Sequence, residues 1–102
     1  MTRAIDLSPA ELAIVCGILQ IHLPPATQAW VFGSRATGTA RRYSDLDLAL
    51  EGEKPVDPGV LGNITEALSL SDLPYKVDVI DLRAVDPAFQ AIVEREMIAL
   101  PF

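Results

Sequence analysis

Asp45 and Asp47, two aspartates separated by one leucine, are the residues of this 102-residue chain whose types and spacing point most directly to chemistry. Residues 46–50 alternate as in a β-strand, and side chains two residues apart project from the same face of a strand. Two carboxylates on one face repel each other, and a divalent cation between them is the usual way to keep both ionised. The pair therefore indicates a metal site, with a solvated strand end as the alternative.

A third carboxylate, Asp78, lies between Val77 and Val79 in another apolar, β-branched segment that predicts a strand. If this strand lies beside the one that carries Asp47, the three aspartates converge. The candidate ligands are all oxygen donors, with no histidine or cysteine nearby, so Mg²⁺ or Mn²⁺ is favoured over zinc.

Gly33 and Ser34 come directly after residues 29–32, a short apolar and aromatic segment that predicts a buried strand. A tight turn or helix start at this point presents backbone amides and a hydroxyl, which is a geometry that binds phosphate. A Gly-Ser pair alone is a weak signal. Its position upstream of the two aspartates favours a phosphate-binding role.

Three of the eight basic residues lie between this turn and the aspartates: Arg35, Arg41 and Arg42. They could neutralise a polyphosphate. They could equally be solvated or paired with Glu51 or Glu53.

The elements that must position these residues alternate between helix and strand. The pattern predicts helices at 9–22, 34–40, 60–70 and 86–96, and strands at 29–32, 46–50 and 76–82. The order α-β-α-β-α-β-α predicts an α/β fold in a single domain that spans residues 1–102.

Composition limits the function classes. A net charge of −6 argues against broad binding to nucleic acid, and no apolar run is long enough to predict a membrane span. The single cysteine cannot form an internal disulfide, which favours a reducing cytoplasm. Half of the residues are apolar, and residues 97–102 form a short hydrophobic end, so we expect a partner to cover part of the surface.

Gly33-Ser34, ten further residues and Asp45-Leu46-Asp47 together resemble the signature of the DNA polymerase beta-like nucleotidyltransferase superfamily. The whole run GSRATGTARRYSDLDL, residues 33–48, resembles the minimal nucleotidyltransferases, which are MNT antitoxins encoded with HEPN ribonuclease toxins. The resemblance extends over nearly the whole chain. It implies a small mixed β-sheet with flanking helices, the nucleotidyltransferase fold.

The resemblance also implies roles for the three aspartates. Asp45 and Asp47 match the metal-binding pair, and Asp78 matches the third carboxylate, which completes the catalytic and metal site and can act as a base. The expected cofactor is Mg²⁺, with Mn²⁺ as a possible substitute, and ATP is the expected substrate.

For the nucleotide, the resemblance implies that Gly33 and Ser34 hold the phosphates and that Arg35 and Arg41 match arginines common in the motif. Arg42 and Tyr43 match variable positions and receive no role.

The resemblance implies an antitoxin that works as a protein adenylyltransferase and transfers AMP from ATP to a tyrosine of a cognate HEPN toxin. The acceptor is then presented by another protein, in a hetero-oligomer, because the chain has no residues left for an acceptor domain. Two alternatives stay open: a non-catalytic binding module that neutralises the toxin by direct contact, and a nucleotidyltransferase acting on a small molecule.

Overall fold

The computed structural model describes residues 4–102, in which helices and strands alternate as predicted, with one further strand at the end. The elements are α1 Pro9–His22, β1 Gln28–Phe32, α2 Ser34–Thr37, β2 Leu46–Glu51, α3 Pro58–Ser69, β3 Val77–Asp81, α4 Pro87–Glu96 and β4 Ile98–Ala99. The predicted order is confirmed from α1 to α4, and β4 was not predicted.

The four strands form one mixed sheet in the order β3-β2-β1-β4. Strand β1 is antiparallel to β2 and to β4, whereas β2 and β3 are parallel. The small mixed sheet with flanking helices confirms the predicted fold.

Capping residues fix where the long helices begin. Ser8 and Glu11 form a capping box at the start of α1, and Asp86 caps α4 by accepting a hydrogen bond from the amide of Phe89. Helix α3 begins earlier than predicted, because Asp57 caps it by accepting the amide of Gly59 at 2.8 Å.

Alternation along β2 divides the core between the two faces of the sheet. Leu46, Leu48 and Leu50 are fully buried in a cluster that includes residues of α1 and α3. Ala49 belongs to the opposite face, in a second cluster with Val93 of α4. Because Asp47 alternates with the leucines, it lies on the α4 face of the sheet.

Part of the hydrophobic end of the chain completes the sheet. Ile98 pairs with Val31 and Ala99 with Trp30, and Leu100 is buried. The edge of β1 offers backbone groups that this segment can pair with, and Pro101 and Phe102 beyond it remain exposed.

Within residues 4–102, every helix is too short or too polar to cross a lipid bilayer.

Candidate active site

Asp47 and Asp78 are direct partners in the register of the parallel strands β2 and β3. Partners in adjacent strands project from the same face of a sheet, so the two carboxylates share the α4 face. Asp45 immediately precedes β2 and is exposed. The structure therefore brings the three predicted aspartates to one end of the sheet, as expected if β2 and β3 are neighbours.

The pKa of Asp47 is raised above its usual value, first by burial of the carboxyl group and then by the negative charges of Asp78, Asp45 and Glu96. Among residues 4–102, no hydrogen-bond donor contacts the Asp47 carboxylate. The ionised Asp47 carboxylate is thus partly buried and is repelled by the neighbouring carboxylates. A bound cation would relieve that repulsion.

The donor set fits a hard divalent cation, because Asp45, Asp47 and Asp78 all offer carboxylate oxygens. In the described part of the chain, however, no three acidic, histidine or cysteine side chains come close enough together to hold a metal ion. Asp78 Oδ1 also lies 3.3 Å from Nζ of the exposed Lys76, so one of its two oxygens is in an ion pair.

Gly33 joins β1 to α2 in a conformation that other residues rarely adopt, with φ of 72° and ψ of −154°. A Cβ atom at this position would also overlap Asp47 Oδ2. Both observations require glycine, because the turn backbone packs directly against the carboxylate at the centre of the site.

Ser34 is the first residue of α2 and is partly buried. Its carbonyl accepts the amides of Gly38 and Thr39, which closes this single helical turn. Its hydroxyl has no partner within residues 4–102, so it can still bind a ligand.

Arg35 lies in the protein interior, whereas the motif implied a contact with the nucleotide. The side chain is only 4% exposed, and its guanidinium donates to the carbonyls of Asp6, Arg42 and Ser44 at 2.8–3.2 Å. It also stacks on the ring of Tyr75, 4.0 Å from the centroid. Most of its donors are used within the protein, so Arg35 braces the loop before β2, which argues against the predicted nucleotide contact.

Arg41 lies in that loop with an exposed side chain. Its amide donates to Ser44 Oγ and its carbonyl accepts the Ser44 amide, so its backbone is fixed in a tight turn. Arg41 is therefore the predicted nucleotide-binding arginine that stays available to a ligand. Arg42 is exposed as well, with its guanidinium 5.3 Å from the ring centroid of Tyr43.

Glu96, the last residue of α4, belongs to the site although the sequence pattern did not predict it. Its Oε1 atom accepts the amide of Gly33 at 3.0 Å, and its charge contributes to the raised pKa of Asp47. The only available signal was the apolar segment after Glu96. If that segment had been interpreted as a strand beside β1, Glu96 would have been placed opposite Gly33.

Comparisons with known proteins agree with this geometry. The family model "Polymerase beta, Nucleotidyltransferase" matches residues 18–100. A Haemophilus influenzae protein described as a probable protein adenylyltransferase, MntA, is 42% identical over 96 residues, which is 94% of this chain and 83% of that protein.

Solved structures with the same fold include one chain of a toxin-antitoxin complex crystallised with AMP-PNP. That chain is 26% identical, with a TM-score of 0.75 over 88% of this chain and 72% of its own length. A second is found in the complex of a tri-AMPylated Shewanella oneidensis HEPN toxin with its MNT antitoxin, at 22% identity and a TM-score of 0.67 over 88% of this chain and 68% of that one. The second shows likeness of fold alone. Together with the family match, these findings show that the chain belongs to the polymerase beta nucleotidyltransferase family.

Proposed function

We propose that this chain is the antitoxin of a toxin-antitoxin pair and works as a protein adenylyltransferase, transferring AMP from ATP to a tyrosine of a HEPN toxin in the cytoplasm. The observation that carries this proposal is the position of Asp47, which is in register with Asp78 and packed against the Gly33 turn. The Haemophilus relative, described as a probable protein adenylyltransferase, and the related chain from the complex crystallised with AMP-PNP support the same activity.

In the proposed reaction, the tyrosine oxygen attacks the α-phosphorus of ATP. A bond forms between them while the bond from the α-phosphorus to the oxygen bridging to the β-phosphate breaks, and pyrophosphate leaves. Asp78 is the candidate base that accepts the phenolic proton. Asp45, Asp47 and Asp78 would hold Mg²⁺, which neutralises phosphate charge when it is bound.

The phosphates are assigned to the turn after β1 and to side chains that residues 4–102 leave open. We assign the Gly33-Ser34 turn and the free hydroxyl of Ser34 to the phosphates, together with the exposed guanidinium of Arg41. Arg35 supports the loop that carries Arg41 but does not contact the nucleotide.

The direct test mixes the purified chain with Mg²⁺, ATP labelled at the α-phosphate and the HEPN protein encoded beside it. The wild-type chain labels that protein, and Asp47→Asn lowers the rate by about a thousandfold or more. Asp72→Asn, which changes an exposed aspartate after α3, serves as the matched control and keeps the wild-type rate. Labelling by Asp47→Asn at the wild-type rate would contradict the proposal.

One observation favours a second candidate function, a binding module that neutralises the toxin by contact alone. Asp78 is paired with Lys76, and the carboxylates are not gathered as metal ligands within the described residues. Cells that express the toxin decide between the two functions. A chain with both Asp45→Asn and Asp47→Asn fails to protect them if transfer is required, and protects them fully if contact is enough.

A further inference from the structure

The contact between Glu96 and Gly33 joins the end of the chain to the proposed phosphate-binding turn. Glu96 Oε1 accepts the Gly33 amide at 3.0 Å, in a partly buried position. A backbone amide bonded to a carboxylate makes a stronger hydrogen bond than one bonded to a neutral acceptor. The turn is therefore attached to a residue 63 positions away in the sequence.

Two elements place Glu96 at this point. It ends α4, which is packed on the sheet through the buried Val93, and it lies two residues before β4. Because Ile98 pairs with Val31, the same antiparallel register extended toward the start of β4 sets Glu96 opposite Gly33. The sheet register thus fixes the backbone of Glu96 beside Gly33, and its side chain needs to span only a short distance to reach the amide.

The position of the turn also matters on the side that faces Asp47. The Gly33 backbone is in contact with Asp47 and has a positive φ that most residues avoid. Ser34 follows directly, so a shift of the turn would move the Ser34 hydroxyl and Asp47 relative to each other.

We propose that Glu96 is a positioning residue for nucleotide transfer, whose carboxylate holds the Gly33 amide so that Ser34 and Asp47 face the same nucleotide. This inference rests on the proposed adenylyltransferase function. The opposite role would be competition, in which Glu96 occupies an amide that the phosphate needs. Removing the side chain weakens nucleotide use in the first case and strengthens it in the second.

Two variants of Glu96 separate these roles, because glutamine keeps an oxygen acceptor and alanine does not. In steady-state AMP transfer with Mg²⁺, we expect Glu96→Ala to raise KM for ATP about tenfold and to lower kcat less. Glu96→Gln should stay within about threefold of the wild type, because the hydrogen bond persists without its charge. Glu94→Ala, at an exposed position of the same helix, is the matched control and should change neither constant.

A readout independent of activity is the amide proton of Gly33 in NMR spectra of the ¹⁵N-labelled chain without nucleotide. Its resonance should move upfield and its hydrogen exchange should accelerate in Glu96→Ala, while Glu96→Gln stays close to the wild type. Thermal unfolding of each variant checks that the fold is kept.

Wild-type KM in Glu96→Ala, or tighter ATP use in both variants, would overturn the positioning role while the proposed function stands. A wild-type chain that neither binds ATP nor transfers AMP would overturn both. The proposal is supported if Glu96→Gln has a KM for ATP close to that of the wild type and Glu96→Ala shifts the Gly33 amide resonance and accelerates its hydrogen exchange.

Discussion

Asp47 and Asp81 lie on neighbouring strands at opposite ends of one sheet. They differ in the number of hydrogen-bond donors that the protein supplies to each carboxylate. Asp81 is only 6% exposed, and its two carboxylate oxygens accept the amides of Val56 at 2.7 Å and Arg83 at 3.0 Å. Asp47 receives no donor from the described residues, and burial with three neighbouring carboxylates raises its pKa. The protein satisfies the carboxylate that builds the fold and leaves the other without a hydrogen-bond donor among the described residues.

The two predicted arginines repeat this difference. The guanidinium of Arg35 is buried against three carbonyls and an aromatic ring, whereas that of Arg41 is exposed. Within one motif, a side chain whose hydrogen bonds are already made belongs to the structure. A side chain of the same type that stays open is the better candidate for function.

The largest effect that we expect on folding comes from Arg35. Arg35→Ala should lower the free energy of unfolding by about 3 kcal/mol, because it leaves buried carbonyls without a donor and removes the stacking on Tyr75. Urea denaturation measures this loss. Arg41→Ala is the matched variant and should unfold like the wild type while raising KM for ATP, and equal destabilisation by the two variants would break the distinction between them.

Asp81 gives the next largest effect. Asp81→Ala should cost about 2 kcal/mol of stability, since two partly buried amides lose their acceptor. The rate of AMP transfer per folded molecule, measured at a temperature at which the variant is folded, should stay close to the wild type. A specific loss of catalysis in a fully folded Asp81→Ala chain would show that the two ends of the sheet are not independent.

Divalent cations should act on the Asp47 end alone. At a Mg²⁺ concentration about ten times the dissociation constant, ligand linkage stabilises the folded chain by about 1.4 kcal/mol and raises the thermal midpoint. Asp47→Asn should abolish this rise, and Asp81→Asn should retain it. A midpoint that responds to Mg²⁺ in Asp47→Asn as in the wild type would place the cation elsewhere.

The smallest effect concerns pH. Because the pKa of Asp47 is higher in the folded chain than its usual value, ionisation of this group opposes folding. The penalty is fully present above the folded pKa, decreases as the pH falls through it, and disappears once the carboxyl group is protonated in both states. Without divalent cations, Asp47→Asn should therefore unfold at a slightly higher temperature than the wild type at pH 7.

That gain should vanish below about pH 4, near the ordinary pKa of an aspartate. Thermal scans of both chains across this range measure it. A lower midpoint for Asp47→Asn at pH 7 would mean that the carboxylate is stabilised by contacts, as Asp81 is.

Local features of the fold and site could be read from the sequence because they depend on residues a few positions apart. The capping box at Ser8 and the alternation around Asp47 are of this kind, and so is the turn at Gly33 that ends β1. The residue types and spacing between Gly33 and Asp47 also identified the family that the comparisons confirm.

Only the tertiary structure decided which of these side chains are open to a ligand. Arg35 matched the motif, but closure of the following loop and the approach of Asp6 buried it. Glu96 reached Gly33 only because a strand of two residues, too short to show a periodic pattern, paired with β1. The sequence by itself determined the chemistry and its local geometry. Contacts between distant segments determined availability, because burial and register depend on how the whole chain packs.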